Sequence, residues 1–175
     1  MDPIEDYFNL RQRIDTEAKR LVELHNTDIA CRPGCDSCCL NLTVFPVEFF
    51  AMQGEMKQAG LDPKSLIFAE SSLCGFLHNG LCRIYPFRPI ICRTHGLPIL
   101  FINDTSGESA WDVSFCRLNF SKQDHIEFTD DMLLDIEEIN AEMNRINHGF
   151  ITSTPQRRYR SRIRIPLKLL CTTKR

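Results

Sequence analysis

Hydrophobic positions near the N-terminus recur at helical spacing: Ile4, Tyr7, Phe8, Ile14, Ala18, Leu21 and Val22 stand among charged residues. That pattern predicts a helix over residues 4–25, ending near His25–Asn26. A second helix is expected from "PVEFF", where Pro46 suits the first turn and Glu48 the positive end of the dipole. It runs to Ala59, with Gly60 as its stop signal. A third is expected over residues 129–147, where Met132, Leu133, Ile136, Ile139, Met143 and Ile146 repeat at helical spacing. Thr129 and Asp130 are its cap candidates and Gly149 stands just beyond its end.

Between the second and third helices the pattern changes. From Cys74 to Cys116 it reads as irregular and β-like. "GFLHNGLCRIY" reads as a hairpin around Asn79–Gly80. A two-residue loop pairs His78 with Leu81 and sends Cys74 and Cys82 to opposite faces. A three-residue loop, with Gly80 left-handed, pairs Leu77 with Leu81 and puts both thiols on one face, and this register is preferred. "ILFINDTSGESAWDVSF" predicts a further hairpin turning at Thr105–Gly107, and "YRSRIRIPL" a short edge strand. There is no internal repeat and no low-complexity linker. The expectation is a small α+β fold over residues 1–175, with three main helices around an irregular cysteine-rich loop and short β-hairpins.

At 175 residues the chain fits one domain, since domains typically run ~100–150 residues. Its 43% hydrophobic and 25% charged residues are those of an ordinary soluble globule. A core of that size needs no metal as its sole support. No stretch approaches the ~20 apolar residues of a membrane span, so none is expected. "MDPIEDYFNL" is acidic and lacks the apolar run of a signal peptide. The expected compartment is therefore the cytoplasm, where thiols stay reduced.

The net charge of −2 hides an asymmetry. Residues 157–175 hold eight of the 21 basic residues and no acid, so the rest of the chain carries 13 basic and 23 acidic residues. Such a tail is a candidate footprint for nucleic acid, or for a protein partner of unknown identity. No stacking platform or recognised module accompanies it. A solvated face, or a segment docking on its own acidic domain, is therefore the preferred reading.

The thiols change the picture most. "CRPGCDSCCL" places Cys31, Cys35, Cys38 and Cys39 in nine positions, and Cys74, Cys82, Cys92 and Cys116 follow; Cys171 stands apart and reads as an inert packing thiol. In a reducing compartment clustered cysteines favour metal binding over disulfides, and a total of nine fits poorly with complete pairing. Short gaps let one loop aim several sulfurs inward, and Pro33–Gly34 favours a tight turn between the first two. Asp36 reads as a turn residue. Consecutive side chains diverge, so Cys38 and Cys39 either serve two sites or leave one thiol for packing. Eight thiolates exceed one tetrahedral site: two four-sulfur sites, or one cluster with spare thiols, both remain open.

Cys31-x3-Cys35-x2-Cys38 has the spacing of radical enzymes that use S-adenosylmethionine. However, Ser37 replaces the usual aromatic and the repeated strand–helix units are absent. Cys35-x-x-Cys38 lacks the βαβ context of a thioredoxin-like site. No phosphate loop, dinucleotide fingerprint or nucleophile–base pair supports an enzyme.

"CRPGCDSCC" followed by "CGFLHNGLCRIYPFRPIICR" resembles the bacterial YkgJ-type cysteine-cluster proteins, the CxxCxxCC or zinc- or iron-chelating family. The resemblance covers Cys31 to Arg93 and extends to Cys116. The first gap here is three residues, so the nickname does not describe it literally. The resemblance implies a chelating site built from Cys31, Cys35, Cys38, Cys39, Cys74, Cys82, Cys92 and Cys116. A similar domain occurs in flagellin lysine methylases.

An iron–sulfur cluster or iron is the favoured occupant, because thiol-only ligand sets with adjacent cysteines suit clusters; zinc is the alternative. A cluster implies electron transfer or redox sensing, zinc a structural staple. Either centre is anionic, and Arg88 and Arg93, beside Pro89 and Cys92, are the arginines best placed to offset that charge; Arg32 and Arg83 read equally well as surface ion-pairing residues. Pro86 and Pro89 hold the bend that presents Cys92. His95 reads as a hydrogen-bonded histidine before a ligand, and the other four histidines have weaker claims.

Overall fold

A computed structural model describes residues 2–66, 74–105, 107–123, 125–153 and 163–171. The first helix, α1, spans Pro3–Leu24. Asp2 caps it by accepting from the Ile4 N–H at 2.9 Å, and Glu5 and Asp6 complement the dipole of its first turn. Its buried stripe is Tyr7, Leu10, Ile14 and Leu21. The second helix, α2, spans Pro46–Gln58. At its start Glu48 reaches back, accepting from the Phe45 N–H at 3.1 Å.

Two apolar clusters share α2. Val47 and Ala51 pack into one with the α1 stripe and Met143, Ile146 and Phe150; Phe49, Met52 and Met56 pack into the other with Val44, Phe76 and Leu170. A helix buried on both sides needs apolar residues around its whole circumference, which is how α2 reads. Charged residues of α1 fasten it to its neighbours. Arg11 makes a bidentate pair with Glu55 of α2 at 2.7 Å, and Asp15 pairs with Arg93 at 2.7 Å.

Short strands complete the α+β fold. The strands β1 (Thr43–Val44), β2 (Leu77–His78), β3 (Leu81–Cys82), β4 (Ile99–Asn103) and β5 (Ala110–Ser114) precede β6 (Leu134–Asp135) and β7 (Ile165–Pro166). The pairing of β4 with β5 is antiparallel, as the alternating pattern predicts, and Gly107 sits in its turn. The pairing of β7 with β1 gives the expected tail strand at Ile165–Pro166. Residues 159–162 of that predicted strand, and Arg157, Arg158, Lys174 and Arg175 of the basic tail, lie outside the described residues; Ile163 and Arg164 are described but precede the strand.

Three expectations need correction. The Asn79–Gly80 hairpin has the two-residue loop: Leu77 pairs with Cys82 and His78 with Leu81. Asn79 and Gly80 both adopt positive φ, 52° and 73°, as a type I′ turn requires, and that turn matches the strand twist. Next, the third long helix begins at Ile136 instead of residue 129. Leu134 and Asp135 are extended and pair in parallel with Ile99 and Leu100, and the Asp135 carboxylate then caps the helix by accepting from the N–H groups of Glu137 and Glu138. This helix spans Ile136–Ser153, running through Gly149, because Phe150 and Ile151 are buried in the first cluster and packing outweighs a weak helix former. Finally, the Pro-rich bend delivers a five-residue helix, Ile90–Thr94, where an irregular β-like segment is expected. It becomes α3, and the long C-terminal helix α4.

Candidate metal centre

The loop "CRPGCDSCC" is two consecutive tight turns. The Cys35 N–H donates to the Arg32 carbonyl at 3.0 Å, with Pro33 and Gly34 (φ 93°) at the centre, the type II signature. The Cys39 N–H donates to the Asp36 carbonyl at 2.8 Å, so Asp36 is indeed a turn residue. The hairpin tip lies against the first turn: a Cβ on Gly80 would stand 3.6 Å from the Gly34 backbone. The Cys74 N–H donates to the Cys39 carbonyl at 3.2 Å, joining hairpin to loop.

The thiols fall into two groups. Cys31 is within electrostatic reach of Cys35, Cys38 and Cys116, and Cys38 of Cys35 and Cys116. Cys39 is within reach of Cys74 and Cys82, as well as of its neighbour Cys38; Cys92 is within reach of Cys74, Cys82 and Cys39. Cys39 couples most strongly to Cys38 itself, but beyond each other their sulfur neighbours differ: Cys35 and Cys116 for Cys38, Cys74 and Cys82 for Cys39. Cys74 joins Cys82 despite the two-residue hairpin. It precedes β2 in a turn, where its carbonyl accepts from the Leu77 N–H, so strand alternation does not govern its direction. Cys171 belongs to neither group and packs on the second apolar cluster.

Asn119, which no sequence pattern singles out, ties the first group together. Its side chain is buried, 1% exposed. Oδ1 accepts from the Ala30 N–H at 2.9 Å, Nδ2 donates to the Gly96 carbonyl at 2.5 Å, and Nδ2 lies 3.9 Å from the Cys31 sulfur. Its own N–H donates to the Cys116 carbonyl at 2.9 Å. One amide thus ties together the segments that carry Cys31, Cys116 and Gly96. Gly96 has φ 90°, and a Cβ there would stand 3.2 Å from the Cys31 sulfur. Phe120, next along, holds a left-handed φ of 56°, kept in place by edge contacts with His25, Phe115 and Phe128.

The second group is set in apolar surroundings. Cys74 and Cys82 pack against the cluster of Phe76, Met52 and Ile84. Burial, reinforced by neighbouring sulfurs, pushes Cys39 up to about 11; burial pushes Cys92 up to about 12, with Arg88 opposing it. Backbone N–H groups of Phe76 and Ile84 face the sulfurs of Cys74 and Cys82 and oppose their upward shift. Burial also raises Cys31 and Cys38.

Arg88 serves both groups. Its charge lowers Cys38 on one side and Cys82 and Cys92 on the other. The guanidinium stacks on Tyr85, 3.6 Å from the ring centroid, and its buried Nε has no hydrogen-bond partner among the described residues. Arg93 is placed differently: it donates to Asp15, to the Arg88 carbonyl at 2.7 Å and to the Pro86 carbonyl at 2.6 Å. Its link to the sulfurs runs through the backbone of Arg88. His95 donates Nδ1–H to the Cys38 carbonyl at 3.1 Å, and burial favours its neutral form. That carbonyl can only accept, so the proton sits on Nδ1.

Among the described residues no three Cys, His, Asp or Glu side chains are closed around a common point that could hold an ion. The donors are gathered without being closed. Their chemistry nevertheless fits a thiophilic metal: two all-thiol sets, backbone N–H groups aimed at sulfur, and an unpartnered cationic Nε beside both. Each thiol must lose its proton to ligate, and Arg88 favours that loss at Cys38, Cys82 and Cys92.

A small α+β fold with thiols on one loop, one hairpin and one short helix within electrostatic reach of one another has the donor chemistry of a metal-chelating protein. The chain belongs to the CxxCxxCC family, described as a "putative zinc- or iron-chelating domain", whose match covers residues 30–117. That span contains all eight thiols and stops short of Asn119. No curated protein and no solved structure matches the chain. Among the described residues no helix is long and apolar enough to cross a membrane.

Proposed function

We propose that the protein carries two metal centres, one on Cys31, Cys35, Cys38 and Cys116 and one on Cys39, Cys74, Cys82 and Cys92. What supports this reading is that Cys38 and Cys39, beyond each other, have different sulfur neighbours, and that the Cys74 N–H donates to the Cys39 carbonyl. Four thiolates is the ligand count of an iron–sulfur cluster and equally of a structural zinc. Iron–sulfur is favoured, because the ligand sets are all sulfur and Arg88 offsets the charge of both, which suits electron transfer or redox sensing in the cytoplasm. Zinc would make both centres structural staples in one domain spanning residues 1–175, leaving the basic tail 157–175 for a protein or nucleic-acid partner.

Purification without oxygen, elemental analysis and a visible absorption spectrum decide between the metals. Two metal centres per chain are expected, with charge-transfer absorption for iron–sulfur and none for zinc. A folded, colourless, metal-free protein overturns the proposal. An iron–sulfur-dependent enzyme becomes the better description if an added small ligand perturbs the spectrum of one centre.

A further inference from the structure

A cavity of about 540 Å³ opens beside the first thiol group, with Cys38, His95 and Cys116 in its wall. Small-molecule sites typically occupy ~300–1,000 Å³, so its size suits a modest organic ligand. Ile136, Ile139 and Met143 of α4 give it an apolar floor. Its charged lining residues are Glu48, Arg117 and Arg164.

Glu48 and Arg164 attract one another across the cavity without forming an ion pair. Glu48 is buried, and its two carboxylate oxygens accept from the Phe45 N–H at 3.1 Å and the Ile90 N–H at 3.2 Å, so its hydrogen-bonding capacity is directed at the starts of α2 and α3. Arg164 makes no salt bridge among the described residues. The guanidinium carbon of this exposed arginine lies over Phe45, 3.4 Å from the ring centroid, the spacing of a stacked pair. Stacking fixes the plane of a guanidinium while leaving its N–H edges available, and that fork matches a carboxylate. The cavity therefore combines an apolar floor, a pre-oriented cationic fork and a second arginine, in a protein whose net charge is negative.

We propose that this cavity binds a small monocarboxylate with an apolar body, its carboxylate on Arg164 and its body over Ile139 and Met143, next to the wall formed by Cys38 and Cys116. The site shares the Cys38–Cys116 wall with the first proposed centre, but its contacts at Arg164, Ile139 and Met143 require no metal.

Octanoate is a suitable probe, titrated calorimetrically into the full chain, with octan-1-ol and octylammonium as neutral and cationic counterparts. Saturable octanoate binding is expected, with NMR shifts at the methyl groups of Ile136, Ile139 and Met143. Arg164→Gln should weaken octanoate about tenfold, the worth of one charge-assisted pair, and leave octan-1-ol unchanged. Arg164→Lys, which keeps the charge and loses the fork, should fall between. Absence of saturable octanoate binding overturns the proposal, as does equal affinity for octylammonium on the unaltered chain. Wild-type affinity in a folded Arg164→Gln protein does so too.

Discussion

The two thiol groups are built from the same donor and set in opposite surroundings. The first, Cys31, Cys35, Cys38 and Cys116, lies in polar company: the buried amide of Asn119, the imidazole of His95 and the wall of an open cavity. The second, Cys39, Cys74, Cys82 and Cys92, is pressed against an apolar cluster around Phe76 and Met52, and its thiols include those that burial drives highest. The difference teaches that four sulfurs do not define a centre. One group depends on the buried amide of Asn119 and the other rests on an apolar cluster in addition to its backbone hydrogen bonds, so each should fail to a different injury.

Phe76→Ala should produce the largest effect. Phe76 is fully buried under Cys74 and Cys82, and truncating such a ring costs ~3–5 kcal/mol. Denaturant unfolding should report that loss, and metal content should fall at the second group while the first retains its share. Equal loss at both groups would erase the contrast between them.

Arg88→Gln should act on both groups together. Removing a residue that supports metal ligands typically costs ~10–100-fold in affinity. Competition with a chelator should show that loss at both centres. A loss confined to one would mean that Arg88 belongs to that group alone.

Asn119→Ala is the counterpart of the Phe76 change. It leaves the Ala30 N–H and the Gly96 carbonyl without their buried partner, an expected cost of ~1–3 kcal/mol. Metal should be lost from the first group alone. Asn119→Asp keeps the acceptor for Ala30 and removes the donor to Gly96 and Cys31, and so should lose the metal with less unfolding.

The smallest effect is one of pH on the metal-free chain. Cys39 and Cys92 have folded-state values raised to about 11 and about 12, above an ordinary thiol of ~8.5. Folding therefore favours their protonated forms. Their contribution to stability is fully present below the ordinary thiol range and is lost as pH rises through it toward the folded values. Thermal unfolding of the metal-free chain should show a falling midpoint above pH ~9. Cys92→Ala should flatten that fall, whereas Cys31→Ala should change it less.

Much of the scaffold was legible in the sequence because its causes are local. Pro46 and Glu48 announce α2, and Pro33–Gly34 announces the first tight turn. The errors arose where distant contacts decide. Asp135 caps α4 because Leu134 is first drawn into a strand beside Ile99, a pairing that no periodicity in residues 129–147 reveals. A three-residue loop is one way to bring Cys74 and Cys82 together, but a turn at Cys74 achieves that without altering the loop. The eight thiols were visible as candidates, yet spacing could not divide them, since Cys38 is grouped with remote Cys116 while its neighbour Cys39 is not. Asn119 was missed for the same reason: a lone asparagine between Leu118 and Phe120 carries no pattern until Ala30, Gly96 and Cys31 converge on it.

Cys38 and Cys39 are joined by a single trans peptide, which fixes their Cα atoms ~3.8 Å apart. Loosening of the hairpin or of the loop bearing Cys116 can distort either half of the pair but cannot separate them. Strain imposed on one sulfur therefore has a rigid covalent lever to the other, shorter than any route through the packed interior.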